Sequence, residues 1–565
     1  MDYKQSSFAG GIKQSLDATK AAESGDSYYL GMNIRNREDV LSPIKQPLDL
    51  TNTLPDGKLQ GLYGAGTLLV LFVAGRPYYR NVADSGMPSF VPLVNPPAMN
   101  DSVDYIYAEF VPSSTIGYAR KKNSSDQQVS FDLDLNLPFI SSQQGMLYQD
   151  GINTAALIFD NNVEVERLNT FAEWNTENRE YVPVMRQMLY YGGVLFGASR
   201  DGKELFRSVS GRPLDFVIPV GIDGDKVSEV ETEGGASATS KRVDYEAITA
   251  IRPTPVEQTI VVGTQNKLFL VQMDPTKEIF SEPFLNSFQV AAVGPVNQFC
   301  FVDLLGDTAF ITQHGIDSIN SSSILKQESI NNPVSAEVSN LFQETSTKYV
   351  SQDYPCAFQF GADFALFAVN TIYGRGVLIY DRTTKKFISL DKYDGVGQIK
   401  MFASVIVAGQ RRLFFITSDD MFYEAYAGEV NETAKVLIGE WCSNDPKVSQ
   451  KPLFIHLVFT DCEEDGVVTI TPIVNRQNGT SISETIVKKT DAKVYPIVPP
   501  FGDSTEDTSQ VVSFNLKTVQ AGWKVGVLIE WNVNAKLTHV NFTTEDQTGT
   551  VNQQSMTKRY VSLKS

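Results

Sequence analysis

Along this chain, apolar and polar positions alternate in a short unit that recurs: an apolar run, a turn of Gly, Asp, Asn or Gln, then an aromatic-rich run. The instances are 67–74 (TLLVLFVA) into 78–80 (YYR), 193–198 (GVLFGA) into 204–207 (ELFR), and 259–262 (TIVV) into 267–271 (KLFLV). They continue with 308–311 (TAFI) into 316–318 (IDS), 365–369 (ALFAV) into 377–381 (VLIYD), and 412–416 (RLFFI) into 421–424 (MFYE). Each pairs two β-rich runs across turn chemistry, which is the signal of a hairpin. Four of the five intervals, roughly 47 to 66 residues, match one four-stranded propeller blade. The pattern predicts an all-β chain, a β-propeller of about six blades. The first interval is about twice as long, so an insertion or a further blade lies there, and 146–148 with 155–159 is the candidate blade.

Punctuation along the chain divides it further. Residues 1–60 are rich in Gly, Ser, Asp and Asn and read as an extended arm with the first propeller strands; 61–83 begin the propeller. Residues 84–190 form a β-rich insertion or blade, including 129–137, whose alternation puts Phe131, Leu133, Leu135 and Leu137 on one face and Asp132, Asp134 and Asn136 on the other. The remaining blades occupy 191–435, with a long polar loop at 222–242 that reads as a lid or partner-binding loop. From 436 to 545 the rhythm gives way to longer strands, as in a β-sandwich, and 546–565 is a polar tail.

Composition narrows the function classes. The 565 residues suffice for several cores. Lys and Arg number 48 against 66 Asp and Glu, a formal net charge of −18 that disfavours sequence-specific nucleic-acid binding. The longest apolar run, 68–74, is too short to cross a bilayer, and the start of the chain lacks the features of a signal peptide, so a cytoplasmic origin without membrane insertion is expected. Cys300, Cys356, Cys442 and Cys462 are far apart and read as buried thiols. Without secretion, the Asn-x-Ser/Thr matches at Asn123, Asn431, Asn478 and Asn541 carry no meaning.

Candidate chemistry is thin. The three histidines, His314, His456 and His539, are isolated in sequence and read as turn or strand-surface residues. Asp461, Glu463, Glu464 and Asp465 read as a solvated hairpin tip ahead of a calcium loop, and Asp132 with Asp134 as wet surface or an intersubunit contact ahead of an acid/base pair. No nucleophile-elbow, phosphate-loop, dinucleotide or zinc-protease motif occurs. No catalytic, cofactor or metal residue is therefore assigned, and the expectation is a protein without enzymatic activity or cofactor.

Residues 8–11 (FAGG), 28–37 (YYLGMNIRNR), 40–43 (VLSP) and 57–64 (GKLQGLYG), leading into the first hairpin, resemble the start of tail nozzle proteins of short-tailed bacteriophages, also called tail tubular protein B, packaged-DNA stabilisation protein or muzzle protein. Residues 205–216 (LFRSVSGRPLDF) are similar to that family's strand leaving one blade for the next. The resemblance spans roughly residues 5 to 430. It implies a virion protein assembled in the host cytoplasm as a homo-hexamer below the portal-proximal adaptor rings. Such a ring retains packaged double-stranded DNA, conducts it through its lumen at infection, and meets tail fibre or plug proteins. An excess of carboxylate on the lumen would keep DNA from sticking, and the arm 1–60, the 84–190 stretch and the 222–242 loop would bridge neighbours around the ring. The competing expectation is a propeller-based glycan-binding or glycan-degrading tail-associated protein. It would draw on stacking aromatics among Trp174, Trp441, Trp523 and Trp531, of which Trp523 and Trp531 share strand parity.

Overall fold

The computed structural model describes residues 2–5, 7–14, 26–37, 40–86, 88–93, 96, 98–112, 144–153, 155–158, 165–167, 183–208, 213, 216, 239–254, 259–273, 285–319, 334–345, 348–429, 434–442, 448–488 and 509–548. The recurring hairpins form antiparallel sheets, here numbered as blades. Blade I is Leu59–Ala65, Leu68–Val73, Arg76–Asn81 and Val91–Pro92. Blade II is Tyr107–Pro112, Gln144–Gln149, Ala156–Ile158 and Val165–Arg167. Blade III is Met185–Tyr191, Val194–Ser199, Glu204–Arg207 and Thr239–Arg242; blade IV is Ile248–Pro253, Thr259–Thr264, Leu268–Met273 and Leu285–Ala291. Blade V has three described strands, Phe301–Asp303, Thr308–Thr312 and Gly315–Ser318. Blade VI is Cys356–Phe360, Phe364–Thr371, Gly374–Asp381 and Lys386–Asp391. Blade VII is Ile399–Val407, Gln410–Thr417 and Phe422–Glu424, completed by Leu48–Asp49 from the N-terminal segment. Pairing this distant strand with Phe422–Glu424 removes an open edge and closes the ring.

Hydrogen bonds step around that ring. Ile106 N donates to Gln60 O at 2.8 Å between blades I and II, and Met185 N to Gln149 Oε1 at 3.0 Å between II and III. The Gln298 amide donates to Met188 O at 3.3 Å and to Ile251 O at 2.9 Å, and accepts from Ile251 N at 2.7 Å, joining III, IV and V. Asn297 Nδ2 donates to Pro355 O at 2.8 Å between V and VI, the Cys356 thiol meets Ile399 O at 3.7 Å between VI and VII, and Ile406 N donates to Gly66 O at 3.0 Å, returning to blade I. A separate apolar cluster fills each wedge except that between V and VI, where the cluster also runs into the C-terminal domain. Among the described residues the sheets thus make an all-β propeller of seven blades. Its extra blade, relative to about six, is blade II, which contains the 146–148 and 156–158 runs. Gly75, at φ +74 in a tight hairpin, lies where a Cβ would meet Met99 O at 2.3 Å, so that turn requires glycine.

The C-terminal strands form a sandwich, but not alone. One sheet orders Gln510–Asn515, Val448–Thr460, Lys536–Thr548, Val40–Pro43 and Ile34–Arg37, with Asp2–Gln5 also on Lys536–Thr548. The facing strands are Ala434–Cys442, Lys524–Trp531 and Gly466–Val474. Their inward residues, Ile455, Leu457, Phe459, Val540 and Phe542 against Val468, Ile470, Val527, Ile529 and Trp531, make one core. Leu30–Met32 then lies between blade VI and the sandwich, parallel to Lys386–Asp391 and antiparallel to Ala434–Cys442, fusing both into a ten-stranded sheet. Gly31 sits at this crossing, where a Cβ would press on Ile34 Cδ1 at 2.5 Å and Tyr28 Cε2 at 2.7 Å.

The described strands of the arm expected to bridge neighbouring subunits pair within this chain. Burial is the cause: Phe8, Ile12, Tyr28, Leu30, Ile34 and Leu41 are all interior. Tyr28 Oη donates to Ile388 O at 2.6 Å. Arg35 meets Asp391 through Nη1–Oδ1 at 3.0 Å and Nη2–Oδ2 at 2.6 Å, while Tyr426 Oη at 3.0 Å and Ser389 Oγ at 2.7 Å also donate to that carboxylate. Burial alone would lower the Arg35 pKa, but Asp391 overrides it and holds it above the ordinary arginine value. Most of loop 222–242 and the tail 546–565 lie outside the described residues.

Candidate functional site

The innermost strands of a propeller surround an axis, and loops at its mouth are where such folds ordinarily build sites. In this chain the axis is filled. Tyr105 and Phe299 have ring centroids 5.0 Å apart, Tyr107 stacks on Phe299 at 5.8 Å, and Tyr105 reaches Tyr354 at 6.3 Å. These rings come from the starts of the inner strands of blades II, V and VI. Lys400, from blade VII, is 2% exposed and donates from Nζ to Leu59 O at 2.8 Å, with its ammonium 5.1 Å from the Tyr105 ring centre. At the mouth, Lys58 Nζ binds Asp104 at 2.9 Å. The rings and the lysine tie blades together across the axis.

Glu109 and Lys400 are among the groups with shifted proton affinity. Burial pushes the Glu109 carboxyl up to about 7 despite Arg252 and a backbone bond from Tyr190. Burial pushes Lys400 down to about 8, with Asp104 opposing and Lys58 adding to the fall. Folded Lys400 thus releases its proton below the unfolded value of 10.5, so the unfolded chain binds more protons between about pH 8 and 10.5 and stability rises with pH across that window. Lys400→Met should remove this rise and raise the thermal midpoint at neutral pH. Thermal midpoints of both proteins from pH 7 to about 10.5 check it; an undiminished rise in the variant assigns the effect elsewhere.

The residues singled out in the sequence do not converge. His314 is exposed and packs edge-on against Tyr349 at 4.7 Å. His456 and His539, isolated in sequence, lie on adjacent strands and on the same outward face, since His456 registers with Asn541 and His539 with Val458. His456 Nδ1 pairs with Ser513 Oγ at 2.8 Å and His539 Nδ1 with Thr538 Oγ1 at 3.1 Å. That juxtaposition is invisible without the strand register. Asp461 binds Lys536 at 2.7 Å, Glu463 accepts from Asn534, and Asp465 accepts from Lys488 N at 2.6 Å, so the acidic tip is held by separate local partners. Among the described residues, no three His, Cys, Asp or Glu side chains form a metal-holding group. Cys300, Cys356 and Cys462 are buried thiols. Trp531 is a fully buried core residue, and Trp523, of the same parity, is half-buried at the strand's start. Asp132, Asp134, Trp174 and the side chains of Trp441 and Cys442 lie outside the described residues. No described helix is long and apolar enough to cross a membrane.

The class defined by these sheets is a seven-bladed propeller fused to a β-sandwich. No family model matches the sequence, and no curated protein does. Among solved structures, the chain is similar to Raptor of Chaetomium thermophilum at 8% identity and TM-score 0.37, covering 68% of this chain and 29% of that one. It thus spans under a third of Raptor's length. It is also similar to the N-terminal domain of Nup159 at 10% identity and TM-score 0.33, covering 70% and 98% of the two chains. A third likeness is to an exo-β-1,3-galactanase from Phanerochaete chrysosporium with galactose, at 8% identity and TM-score 0.26, covering 89% and 100%. The ring of sheets, not these likenesses, defines the fold.

Proposed function

We propose that the chain is a structural subunit of the tail nozzle of a short-tailed bacteriophage, a sixfold ring that retains packaged DNA and conducts it during ejection. The observation that carries this reading is the position of the residues that resemble the nozzle family: 8–11, 28–37 and 40–43 run along the junction of propeller and sandwich. Phe8, Tyr28, Ile34 and Leu41 are interior there, and Arg35 binds Asp391. The resemblance thus falls on residues that join propeller to sandwich, a join that a wall under pressure would need. Side chains of blades II, V, VI and VII meeting near the axis support a lumen formed between copies, with duplex DNA passing outside each propeller. The net charge of −18 supports a wall that phosphate does not adhere to. Adaptor rings above and fibre or plug proteins below are the partners of such a subunit, and the tail of the virion is its location.

A glycan-directed reading has one observation in its favour. Tyr245, in the loop between blades III and IV, is 83% exposed, with the Arg242 guanidinium 4.8 Å from its ring centre, leaving aromatic surface open to a sugar. Two assays separate the readings. The nozzle subunit releases no reducing ends from bacterial surface polysaccharide and gives no shifted band with duplex DNA at about 0.15 M salt. Sugar release that is lost in Tyr245→Ala would replace the nozzle reading with the glycan one.

A further inference from the structure

The outer face of the sandwich brings together two of the chain's three histidines. On Val448–Thr460, His456 stands opposite Asn541 of Lys536–Thr548, and His539, two residues from Asn541, stands opposite Val458. Cross-strand neighbours placed diagonally in this way are about 7–8 Å apart, within reach of aromatic side chains. The register also breaks here: Val458 pairs with His539 and Phe459 with Leu537, so Thr538 is an extra residue, a β-bulge of the kind that re-aims a side chain. The hydroxyl of Thr538 then decides the state of its neighbour. Thr538 Oγ1 donates its one proton to Val458 O at 3.1 Å, so it can only accept from His539 Nδ1, also 3.1 Å away. Neutral His539 is therefore held as the Nδ1–H tautomer, with its lone pair on Nε2. Ser513 Oγ, 2.8 Å from His456 Nδ1, can accept from that ring in the same way. An acceptor on Nδ1 is how an imidazole that ligates through Nε2 is oriented.

We propose that His456 and His539 together bind one divalent ion of the late first-row metals, Zn²⁺, Ni²⁺ or Cu²⁺, through their Nε2 atoms. Imidazole nitrogen suits these ions, whereas Mg²⁺ and Ca²⁺ take oxygen ligands. Both side chains are half-buried on the outer face. Rotation about their own bonds brings the two nitrogens to about 2.1 Å from a shared ion without moving the strands. No third His, Cys, Asp or Glu joins them among the described residues, so water takes the remaining positions and the site stays open. Bound there, the ion clips Val448–Thr460 to Lys536–Thr548, the two strands that carry most of this sheet's pairing. The inference needs one folded chain and does not rest on the ring reading.

Titration of the full chain with Cu²⁺, followed by electron paramagnetic resonance, tests it in wild type, His456→Asn, His539→Asn, the double variant and His314→Asn. Wild type and His314→Asn should hold one Cu²⁺ on two nitrogen ligands. His456→Asn and His539→Asn should each bind at least about tenfold more weakly, because the second imidazole acts at high effective concentration once the first has bound. Zn²⁺ should raise the thermal midpoint of wild type and not of the double variant, and Mg²⁺ should raise neither. Wild-type affinity in either single variant overturns the proposal. So does a wild-type spectrum with one nitrogen ligand or none, a result that depends on no variant folding.

Discussion

Asp391→Ala is expected to destabilise the protein by about 3–5 kcal/mol, because it strands a buried guanidinium. The Asp391 side chain is 0% exposed, and Arg35, Tyr426 and Ser389 all donate to it. Removing the carboxylate leaves Arg35 without its bidentate partner and two hydroxyls without their acceptor, in a cluster shared by the arm, blade VI and the exit from blade VII. The double replacement Arg35→Met with Asp391→Leu should recover most of the loss, since apolar groups of similar volume often substitute for a buried pair at little cost. Chemical denaturation followed by tryptophan fluorescence reads the effect, as the buried Trp531 reports on the same core cluster that contains Leu390 and Tyr28. A loss below about 1 kcal/mol, the range of exposed pairs, would mean that the arm is not held by this contact.

Trp531→Ala is expected to cost a further 3–5 kcal/mol, about the range for emptying an aromatic site in a packed core. Trp531 is fully buried, packs edge-on to Phe459 at 5.9 Å, and donates from Nε1 to Ala535 O at 3.1 Å. Trp531→Phe should cost less, keeping most of the volume and losing the hydrogen bond. The same substitutions bear on the glycan reading. A stacking platform would lose sugar binding on Trp531→Ala with stability unchanged; a core residue loses stability first, seen as a lower urea midpoint.

Much of the propeller was legible because its hairpins are local. Runs such as 259–262 and 267–271 turn back on each other within a dozen or so residues, and they became adjacent strands of one sheet. Blade II escaped the count because its first two strands, Tyr107–Pro112 and Gln144–Gln149, are far apart in sequence, so the hairpin rhythm is broken there. The arm escaped for a stronger reason. Leu30–Met32 is three residues long and finds its partners at Leu390 and Lys435–Leu437, and Tyr28 bonds a carbonyl 360 residues away. No local periodicity encodes such a contact; only the apolar residues at 28–34 hint that something must cover them. The shared face of His456 and His539 is likewise a product of strand register.

The sixfold ring is most directly tested by native mass spectrometry of the full-length chain. The nozzle reading predicts a dominant species at six times the 62.5 kDa chain mass, with no stable trimer. A protein that remains a single chain, or stops at three copies, would contradict it.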